Sequence, residues 1–478
     1  MSDWLLSMLV HICLAMGGLL IFCAGAFFRR RPADLLFIMA LVAVTLSALA
    51  VFFLPAGPAN PNQMVDIAPF GAFFYLLLIM ISGLTLLFSR QYAQEKGISG
   101  DEFYGIVLFA AFSMLLVAGA QHWVILFLAV EFLSLSFYIL IALSNRAPGA
   151  GEAALKYFIT GSVAGAFLAF GIAILYAATG SMMIIESLAT FKGADDQNLV
   201  LLGVSLILVG IGFKLSLVPF HFWTPDVYQG APAPITAFLS SGAKVCLLAA
   251  LVRFGMASAD WLWTFLGPVL WVAAALTMAW GSIAALTQEH LKRLLAYTAM
   301  AHMGYLLMAF LALPDSGPGP ILFYAAVFAT MEIGAFGAVG LLSPAHPDHP
   351  DRDGLKAYQG LGHSHPVIGA VLALCLLSLA GLPPTAGFFG KIVLFKAALQ
   401  GNLLILAVIG MLATSISIYA YLKVIVALYM SPRQDDARMP TPPLLGRLAA
   451  MVVVVLLLWS GLLPGMLLDV IARAGAGF

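Results

Sequence analysis

Four ionisable residues lie within long apolar stretches of this sequence, where charged side chains are rare: Glu131, Lys214, Lys244 and Lys391. A charge in the hydrocarbon of a membrane is unfavourable, so such residues usually face protein or a water-filled cavity and take part in ion or proton movement. The proton affinity of an amine or a carboxyl group also changes when the group is buried or when an opposite charge approaches. The residue types therefore predict a path for protons or ions.

Glu131 and Lys214 form the most direct pairing in this set. Glu131 lies near the middle of the run LAVEFLSLSFYIL, and an unpaired carboxylate there needs a proton or a cation. Lys214 is the expected cation, because it follows an apolar run that Pro219 then interrupts. Moving the carboxylate away would release the proton of the lysine. The structural alternative is a buried ion pair that only fixes the packing of two helices.

Further residues extend this pair into a series. Lys244 and Lys391 continue it along the chain, and His221 and His302 are candidate carriers because an imidazole titrates near neutral pH. Lys156 is a supporting candidate close to the end of an apolar run. For each lysine the alternative is a side chain that reaches the membrane interface. For each histidine it is a hydrogen-bonded packing residue.

The composition places this series in a membrane. Hydrophobic residues make up 62% of the 478 residues and charged residues 9%, whereas a soluble protein carries about 25% charged residues. The net charge is zero, which provides no basic face for nucleic acid. The four cysteines have no CxxC spacing, and no nucleotide-binding glycine motif follows a strand-like run. The segment 343–366 has four histidines and three aspartates, but without helical spacing, so we predict no metal site.

The apolar runs predict an all-α polytopic membrane protein with about fourteen transmembrane helices. We number these predicted spans 1 to 14 in chain order. Prolines interrupt span 7, at Pro219 and Pro225, and span 12, at Pro383 and Pro384, and therefore predict two broken helices. The predicted spans are 4–28, 33–54, 70–90, 103–120, 122–144, 152–178, 198–222, 232–257, 261–286, 292–312, 319–342, 364–399, 402–430 and 443–470.

Basic residues predict the orientation, because loops rich in lysine and arginine stay in the cytoplasm. Thirteen basic residues lie in loops on one side and three on the other, so both termini are expected outside, in the periplasm of a bacterium. The remaining six lysines lie within or at the edge of spans, two of them (Lys156 and Lys396) near span ends. The thirteen are Arg29, Arg30, Arg31, Arg90, Lys96, Arg146, Lys292, Arg293, Arg352, Lys356, Arg433, Arg438 and Arg447; the three are Lys192, Arg253 and Arg473; the six are Lys156, Lys214, Lys244, Lys391, Lys396 and Lys423.

Two sets of five spans, 4–8 and 9–13, carry similar anomalies at matching positions. The fourth span of each set is broken by proline and contains a lysine, and the fifth span contains another lysine. An odd number of helices in each set makes the two copies inverted in the membrane, an arrangement that places ion sites near the midplane. The predicted domains are a three-helix segment 1–100, a first repeat 101–257, an inverted second repeat 258–431 and a C-terminal helix 432–478.

Four motifs of the sequence are long enough to compare with known families: EFLSLSFYIL, FKLSLVPFHFWTPDVYQGAPAPITAFLSSGAK, LKRLLAYTAMAHMGYLLMAF and GLPPTAGFFGK. They resemble signatures of the antiporter-like membrane subunits of proton-pumping NADH:quinone oxidoreductase (complex I), and among these subunit N. The similarity extends over roughly residues 100–430. The absence of a long C-terminal lateral helix disfavours subunit L, and a lysine rather than a glutamate at Lys391 disfavours subunit M.

The resemblance implies roles for the four ionisable residues. Glu131 corresponds to the glutamate of helix 5, and Lys214 corresponds to the lysine of helix 7 that pairs with it. Lys244 corresponds to the central lysine of helix 8, and Lys391 to the lysine of helix 12. In this family the four groups transfer protons.

The resemblance also extends to other polar positions. Lys156, His221 and His302 correspond to further polar positions of the family's buried axis. Glu332 is a departure, because a neutral amide is expected there, and its role stays open.

The resemblance implies a translocase subunit in the bacterial inner membrane, with no redox centre or bound cofactor of its own. NAD, FMN, iron–sulfur clusters and quinone would bind to partner subunits, and their chemistry would drive proton movement through this chain. The expected partners are the other membrane subunits of complex I and, through them, its peripheral arm. The alternatives are a subunit of a multisubunit cation/proton antiporter or a related hydrogenase-type complex, and a membrane scaffold in which the charges only pack helices.

Overall fold

The chain is predominantly α-helical in the part that the computed structural model describes: residues 2–27, 33–54, 64–65, 68–98, 100–143, 149–189, 197–342, 354–432 and 443–475. Within these ranges the only β-type pairings are isolated bridges. Long apolar helices satisfy their own backbone hydrogen bonds, which a membrane interior requires. The predicted all-α membrane fold is confirmed.

The described residues form twenty-one α-helices, several of them short. A π-helical segment, Leu239–Ala243, joins α10 to α11, and a 3₁₀-helix covers Leu355–Tyr358. The helices are α1 Ser2–Phe27, α2 Ala33–Val51, α3 Pro69–Glu95, α4 Gly100–Gly119, α5 Trp123–Ala142, α6 Ala150–Thr179, α7 Ile184–Ala189, α8 Gln197–Lys214, α9 Trp223–Gly230, α10 Ala233–Phe238, α11 Lys244–Ala257, α12 Asp260–Leu286, α13 Leu291–Leu311, α14 Leu313–Ser316, α15 Gly319–Leu341, α16 Leu361–Ser364, α17 Pro366–Ala380, α18 Ala386–Gln400, α19 Leu404–Met430, α20 Leu444–Leu462 and α21 Pro464–Gly475.

Thirteen helices of the described residues are long and apolar enough to cross a membrane. The difference from the fourteen predicted spans comes from span 12, predicted over 364–399. It is divided into α17 and α18, of fifteen residues each, and neither reaches the length of a span alone. Span 14, predicted over 443–470, is also shorter than expected: α20 ends at Leu462, and Pro464 begins the separate helix α21.

Both predicted helix breaks are present. The first lies between α8, which ends at Lys214, and α9, which begins at Trp223. The second lies between α17, which ends at Ala380, and α18, which begins at Ala386. Proline cannot donate a backbone hydrogen bond and clashes with the preceding turn, so each break leaves free backbone groups inside the bundle.

The helices form an inner group and an outer group. Nearly every residue of α10, α11, α13 and α15 is buried, whereas α6, α12, α19 and α20 bury one face and expose apolar side chains on the other. A helix that is hydrophobic all round belongs in the interior, and an apolar exposed face suits lipid or a neighbouring membrane subunit. Ionisable side chains on the inner group are therefore shielded from lipid and from neighbouring subunits.

Part of the orientation argument lies outside the described residues. The basic residues concerned are Arg29, Arg30, Arg31, Arg146, Lys192, Arg352, Arg433 and Arg438, and two histidines of segment 343–366, His346 and His349, also lie there. Among the residues that are described, no group of three or more His, Cys, Asp or Glu side chains could hold a metal ion.

Candidate functional site

The first part of the site joins α5, α6 and α8 around Lys214. This residue ends α8 and is 7% exposed. Its Nζ donates a hydrogen bond of 2.5 Å to Ser134 Oγ on α5. The ammonium group also lies 5.5 Å from the centre of the Tyr157 ring on α6, within range of a cation–π interaction. Lys214 is thus held by a hydroxyl group and an aromatic ring inside the bundle.

Glu131 lies on α5, one turn before Ser134, and is partly exposed at the surface of the chain. Its charge interacts with that of Lys214. These two described residues nevertheless form no direct ion pair, and Glu131 Oε1 is buried without a hydrogen-bond partner. The predicted partners are therefore on adjacent helices and coupled at longer range than a salt bridge.

Two glycines of α6 provide the space for these groups. A methyl group at Gly165 would overlap the Glu131 carboxylate. At Gly161 it would overlap the Tyr138 hydroxyl and lie 3.5 Å from Lys214 Nζ. The two glycines are one turn apart and so share a helix face. The absence of side chains on this face makes room for the polar groups of α5 and α8.

The second part of the site surrounds Lys244, the first residue of α11. Its side chain is 1% exposed and its Nζ has no hydrogen-bond partner. The ammonium lies 5.4 Å from the centre of the Tyr228 ring on α9. Glu332 on α15 is fully buried and its charge interacts with that of Lys244. The departure noted in the sequence therefore places a carboxyl group beside the central lysine.

The third part of the site is Lys391 on α18, which is 6% exposed. Its Nζ donates to Leu379 O at 2.9 Å and to Ala380 O at 3.1 Å. These carbonyls end α17 and lack the partners that a continuous helix would supply. The Tyr305 ring lies 5.5 Å from the ammonium. The Lys391 ammonium thus provides hydrogen bonds for carbonyl groups that the second helix break leaves without a backbone partner.

His302 on α13 lies between the second and third parts. Its Nδ1 is 2.6 Å from the Tyr324 hydroxyl and its Nε2 is 3.1 Å from the Tyr421 hydroxyl. Its electrostatic interactions are with Lys391 and Lys244. An imidazole between two hydroxyl groups can accept a proton on one nitrogen and give one up from the other.

Aromatic side chains connect the first part of the site to the second, and they connect His302 to the third part. The rings of Tyr157 and Trp223 stack with centroids 4.6 Å apart, and Trp223 meets Tyr228 at 6.3 Å. Tyr305 contacts both His302, at 5.6 Å between centroids, and the Lys391 ammonium. We call the resulting series the central row. Its members are Lys214, Tyr157, Trp223, Tyr228, Lys244, His302, Tyr305 and Lys391.

Lys156 lies outside the central row, at an exposed position near the start of α6. Its Nζ forms ion pairs with Glu152, at 2.7 Å, and Asp226, at 2.8 Å. Asp226 also binds Arg293 Nη1 at 2.6 Å. This group of charges ties α6, α9 and α13 together at the surface of the chain.

His221 is also separate from the central row. It lies in the first break, and its ring packs on Phe222 with centroids 4.4 Å apart and against Trp280 at 6.1 Å. Both neighbours are exposed on the outside of the chain. The described side chain of His221 has no hydrogen bond, ion pair or ring contact with the three lysines of the row.

The two remaining lysines of the spans, Lys396 and Lys423, lie away from the other ionisable groups of the site. Lys396 is exposed on α18, as expected for a residue near a span end. Lys423 Nζ donates to Gln288 O at 3.1 Å, just beyond the end of α12. Neither side chain reaches the central row through a described contact.

Sequence reasoning missed several members of the site. Ser134 and Tyr157 contact Lys214, Tyr228 contacts Lys244, and Tyr324 and Tyr421 hold His302. A tyrosine or serine in an apolar helix is too common to stand out by residue type. The useful signal is that polar groups buried in a membrane protein need partners, so each buried lysine or histidine predicts hydroxyl groups on neighbouring helices.

Fold and site together define a polytopic membrane protein with a buried series of ionisable and hydroxyl side chains between two broken helices. The chain belongs to the family described as NADH:quinone oxidoreductase/Mrp antiporter, whose model matches residues 120–417. All seven residues predicted for the path lie within the matched range. The family indicated by the sequence motifs is confirmed.

Individual relatives agree with this assignment. The chain is 43% identical to NADH-quinone oxidoreductase subunit N 1 of Solidesulfovibrio magneticus, over 100% of both chains. It is 32% identical to a chain of respiratory complex I from Thermus thermophilus with bound aureothin, with a TM-score of 0.82 over 97% of this chain and 99% of that one. A chain of the Mrp complex from a Dietzia species has a TM-score of 0.83 at 20% identity, over 100% of this chain and 97% of that one, which shows the shared fold alone.

Proposed function

We propose that this chain is a proton-translocating membrane subunit of a bacterial NADH:quinone oxidoreductase. Electron transfer from NADH to quinone, catalysed by other subunits, drives protons along the central row. The chain is thus one part of a translocase and has no redox centre of its own. Its similarity to a relative named subunit N over the full length supports this assignment.

The observation that carries the proposal is the state of the three buried lysines. Lys214, Lys244 and Lys391 are at most 7% exposed, and none of these described side chains is in a direct ion pair. An ammonium without a direct counter-ion in the protein interior is unfavourable, so a lysine kept only for packing could be replaced by an apolar residue at little loss of stability. Lysines that exchange their proton with neighbours fit these surroundings better.

The roles follow the order of the row, with Glu131 acting on its first member, Lys214. Glu131 and Lys214 receive and release a proton as their separation changes, and Lys244 and Lys391 continue the transfer. His302 carries the proton between these two lysines. Lys156 and His221 remain predicted supporting residues, because their contacts lie outside the row.

The wider arrangement is also part of the proposal. The two five-helix units 101–257 and 258–431 act as inverted halves of the path, flanked by 1–100 and 432–478, with both termini in the periplasm. NAD, FMN, iron–sulfur clusters and quinone bind to partner subunits and none to this chain. The exposed apolar faces of the outer helices meet lipid and the neighbouring membrane subunits, which link the chain to the peripheral arm.

A multisubunit cation/proton antiporter is the second candidate, because the family and the fold include Mrp proteins. The two candidates differ in their partners. Purification of the tagged chain from its native membrane should bring down flavin- and iron–sulfur-containing subunits. A complex without them would favour the antiporter.

The direct test replaces Glu131 and Lys214, the first acid–lysine pair, with alanine in two separate variants. We expect Lys214→Ala and Glu131→Ala to slow proton transfer through this chain by about 100-fold, the usual contribution of a positioned acid–base group. NADH-driven acidification is measured in inverted membrane vesicles that contain the whole complex. The amount of assembled complex and its NADH oxidation rate are measured in the same vesicles.

Two possible results distinguish proton translocation from a scaffold role. Reduced acidification in a fully assembled complex supports the proposal. Normal acidification in both variants would leave only a scaffold role for these charges.

A further inference from the structure

A buried carboxyl group outside the residues assigned above lies next to Lys244. Glu332, on the inner helix α15, is 0% exposed. Both of its oxygen atoms lack a hydrogen-bond partner. A carboxyl group in such a place must either bind a proton or interact with a positive charge, because an isolated buried carboxylate is highly unfavourable.

Three buried polar groups without hydrogen-bond partners meet around this position. They are the Tyr228 hydroxyl, the Lys244 ammonium and the Glu332 carboxyl group. Lys244 Nζ lies 5.4 Å from the Tyr228 ring centre, and the charge of Glu332 interacts with both residues. We call these three residues the α15 cluster. Unpaired polar groups are rare in a packed interior, and three together point to a site that changes its protonation or hydration.

The surrounding backbone brings the cluster together. The helix α15 packs against α10 and against the π-helical segment Leu239–Ala243 that precedes Lys244. Ser240, on that segment, lies close enough to the Glu332 carboxyl group to interact with it, although the two Glu332 oxygens have no well-formed hydrogen bond. A π-helical turn widens a helix locally and often occurs at functional sites. Here the π-helical turn carries the Ser240 hydroxyl and leads directly into Lys244 at the start of α11.

Resting on the proposed function, we propose that Glu332 is a further proton-carrying residue that exchanges a proton with Lys244. In this step an N–H bond of the Lys244 ammonium breaks and an O–H bond forms on the Glu332 carboxylate. The Ser240 hydroxyl or a water molecule passes the proton, since the two groups are not in direct contact. A cation and an anion become an amine and an acid, so the net charge of the pair is zero before and after.

The exchange explains why a carboxyl group stands at this position. It gives the central lysine its own acid, just as Glu131 serves Lys214. A pair that stays neutral overall can be buried far more easily than a lone ammonium. The chain would then contain two acid–lysine pairs along one row, rather than one.

The test compares Glu332→Gln with Glu102→Gln in the whole complex. Glu332→Gln keeps the shape of the side chain but cannot accept the proton. Glu102 is exposed in the first turn of α4 and is a matched control. We expect Glu332→Gln to assemble and to lower the ratio of protons moved to NADH oxidised, while Glu102→Gln leaves it unchanged.

A spectroscopic signature separates proton transfer from packing. Infrared difference spectra of the complex, taken with and without NADH, should contain a C=O band of a protonated carboxylic acid that is lost in Glu332→Gln. A purely structural role would leave that band in place. An unchanged band together with normal pumping in Glu332→Gln would overturn the proposal.

Two further comparisons keep the result interpretable. If Glu332→Gln pumps protons normally while Lys214→Ala does not, the role of Glu332 is wrong and the proposed function stands. If both variants pump protons normally, the proposed function is wrong as well. If Glu332→Gln does not assemble, Glu332→Asp takes its place. A carboxyl band displaced from its wild-type position then supports the proposal, and an unshifted band contradicts it.

Discussion

The two helix breaks present their lysines to different acceptors. At the first break, Lys214 ends α8 and donates to the Ser134 hydroxyl on a neighbouring helix, with the Glu131 carboxylate farther away. At the second break, Lys391 follows the gap and donates back to the carbonyls of Leu379 and Ala380. The hydrogen bond of Lys214 therefore goes to a side chain, whereas those of Lys391 go to the backbone.

This difference separates an adjustable site from a fixed one. Side chains on α5 can change rotamer or protonation, so the surroundings of Lys214 can vary during a transport cycle. Backbone carbonyls at the end of α17 cannot take up a proton, and they carry the negative end of the helix dipole. We therefore expect the second break to respond to changes of backbone packing and the first to changes around the Glu131 carboxylate.

The largest expected effect tests the rigidity of the second break. In Gly387→Ala the new methyl group would overlap the carbonyl oxygen of Ser378, which is backbone and cannot move aside. We expect a destabilisation of about 3 kcal/mol and little of the chain in the purified complex, measured by quantitative immunoblotting. The control is Gly267→Ala, where nothing lies within 4 Å of the added carbon. Equal amounts of both variants would show that this break can relax.

The next effect tests whether the hydrogen bonds to the α17 carbonyls hold Lys391 in place. Lys391→Met removes the donor from two buried carbonyls, which costs about 1–3 kcal/mol. Lys391→Gln can still donate to one of them but cannot carry a proton. Both variants should lose proton pumping, and only Lys391→Met should also lower the thermal midpoint of the complex. A midpoint that is the same for the two variants would argue against the role of the carbonyls.

A smaller effect on folding but a clear effect on function is expected at the first break. Gly165→Ala places a methyl group against the Glu131 carboxylate, the end of a flexible side chain that can move away. The change should cost less than about 1 kcal/mol, yet it should reduce pumping because Glu131 is displaced. Gly151→Ala on the same helix has open space around the new carbon and should pump normally. Equal pumping by the two variants would remove Glu131 from the adjustable site.

The smallest effect is expected at Lys396, which shares α18 with Lys391 but is exposed. Lys396→Ala should change stability by no more than about 0.5 kcal/mol and leave NADH-driven acidification unchanged. Complete loss of pumping would mean that the row extends along α18 beyond Lys391.

The membrane fold and the two breaks were predictable because they depend on local composition. Long apolar runs must be helical in a bilayer, and paired prolines such as Pro383 and Pro384 must interrupt them. The exact number of spans was harder to predict. The second break divides one predicted span into α17 and α18, and each of these helices is too short to cross a membrane alone. The start of α21 at Pro464 was missed for a related reason, because its apolar residues continue the run of α20 without a change in composition.

The residues of the site were likewise only partly predictable from the sequence. Residue type alone singled out Lys214, Lys244, Lys391 and His302, because an ionisable group in an apolar helix is conspicuous in any sequence. It also selected Lys156 and His221, whose contacts lie at the outside of the chain. Position along the chain does not distinguish an inward-facing side of a helix from an outward-facing one when both are apolar.

The sequence by itself determined that this chain lies in a membrane, which helices are broken and which side chains carry unusual charge, since these follow from local chemistry. Only the tertiary structure decided which of those charges face one another. It assigned the carbonyls of α17 to Lys391, Ser134 and Tyr157 to Lys214, and Glu332 to Lys244. The physical reason is that most of these partners are far apart in sequence, and even the carbonyls of α17, 11 and 12 residues before Lys391, meet it only across a helix break. Their contact depends on how whole helices rotate and pack.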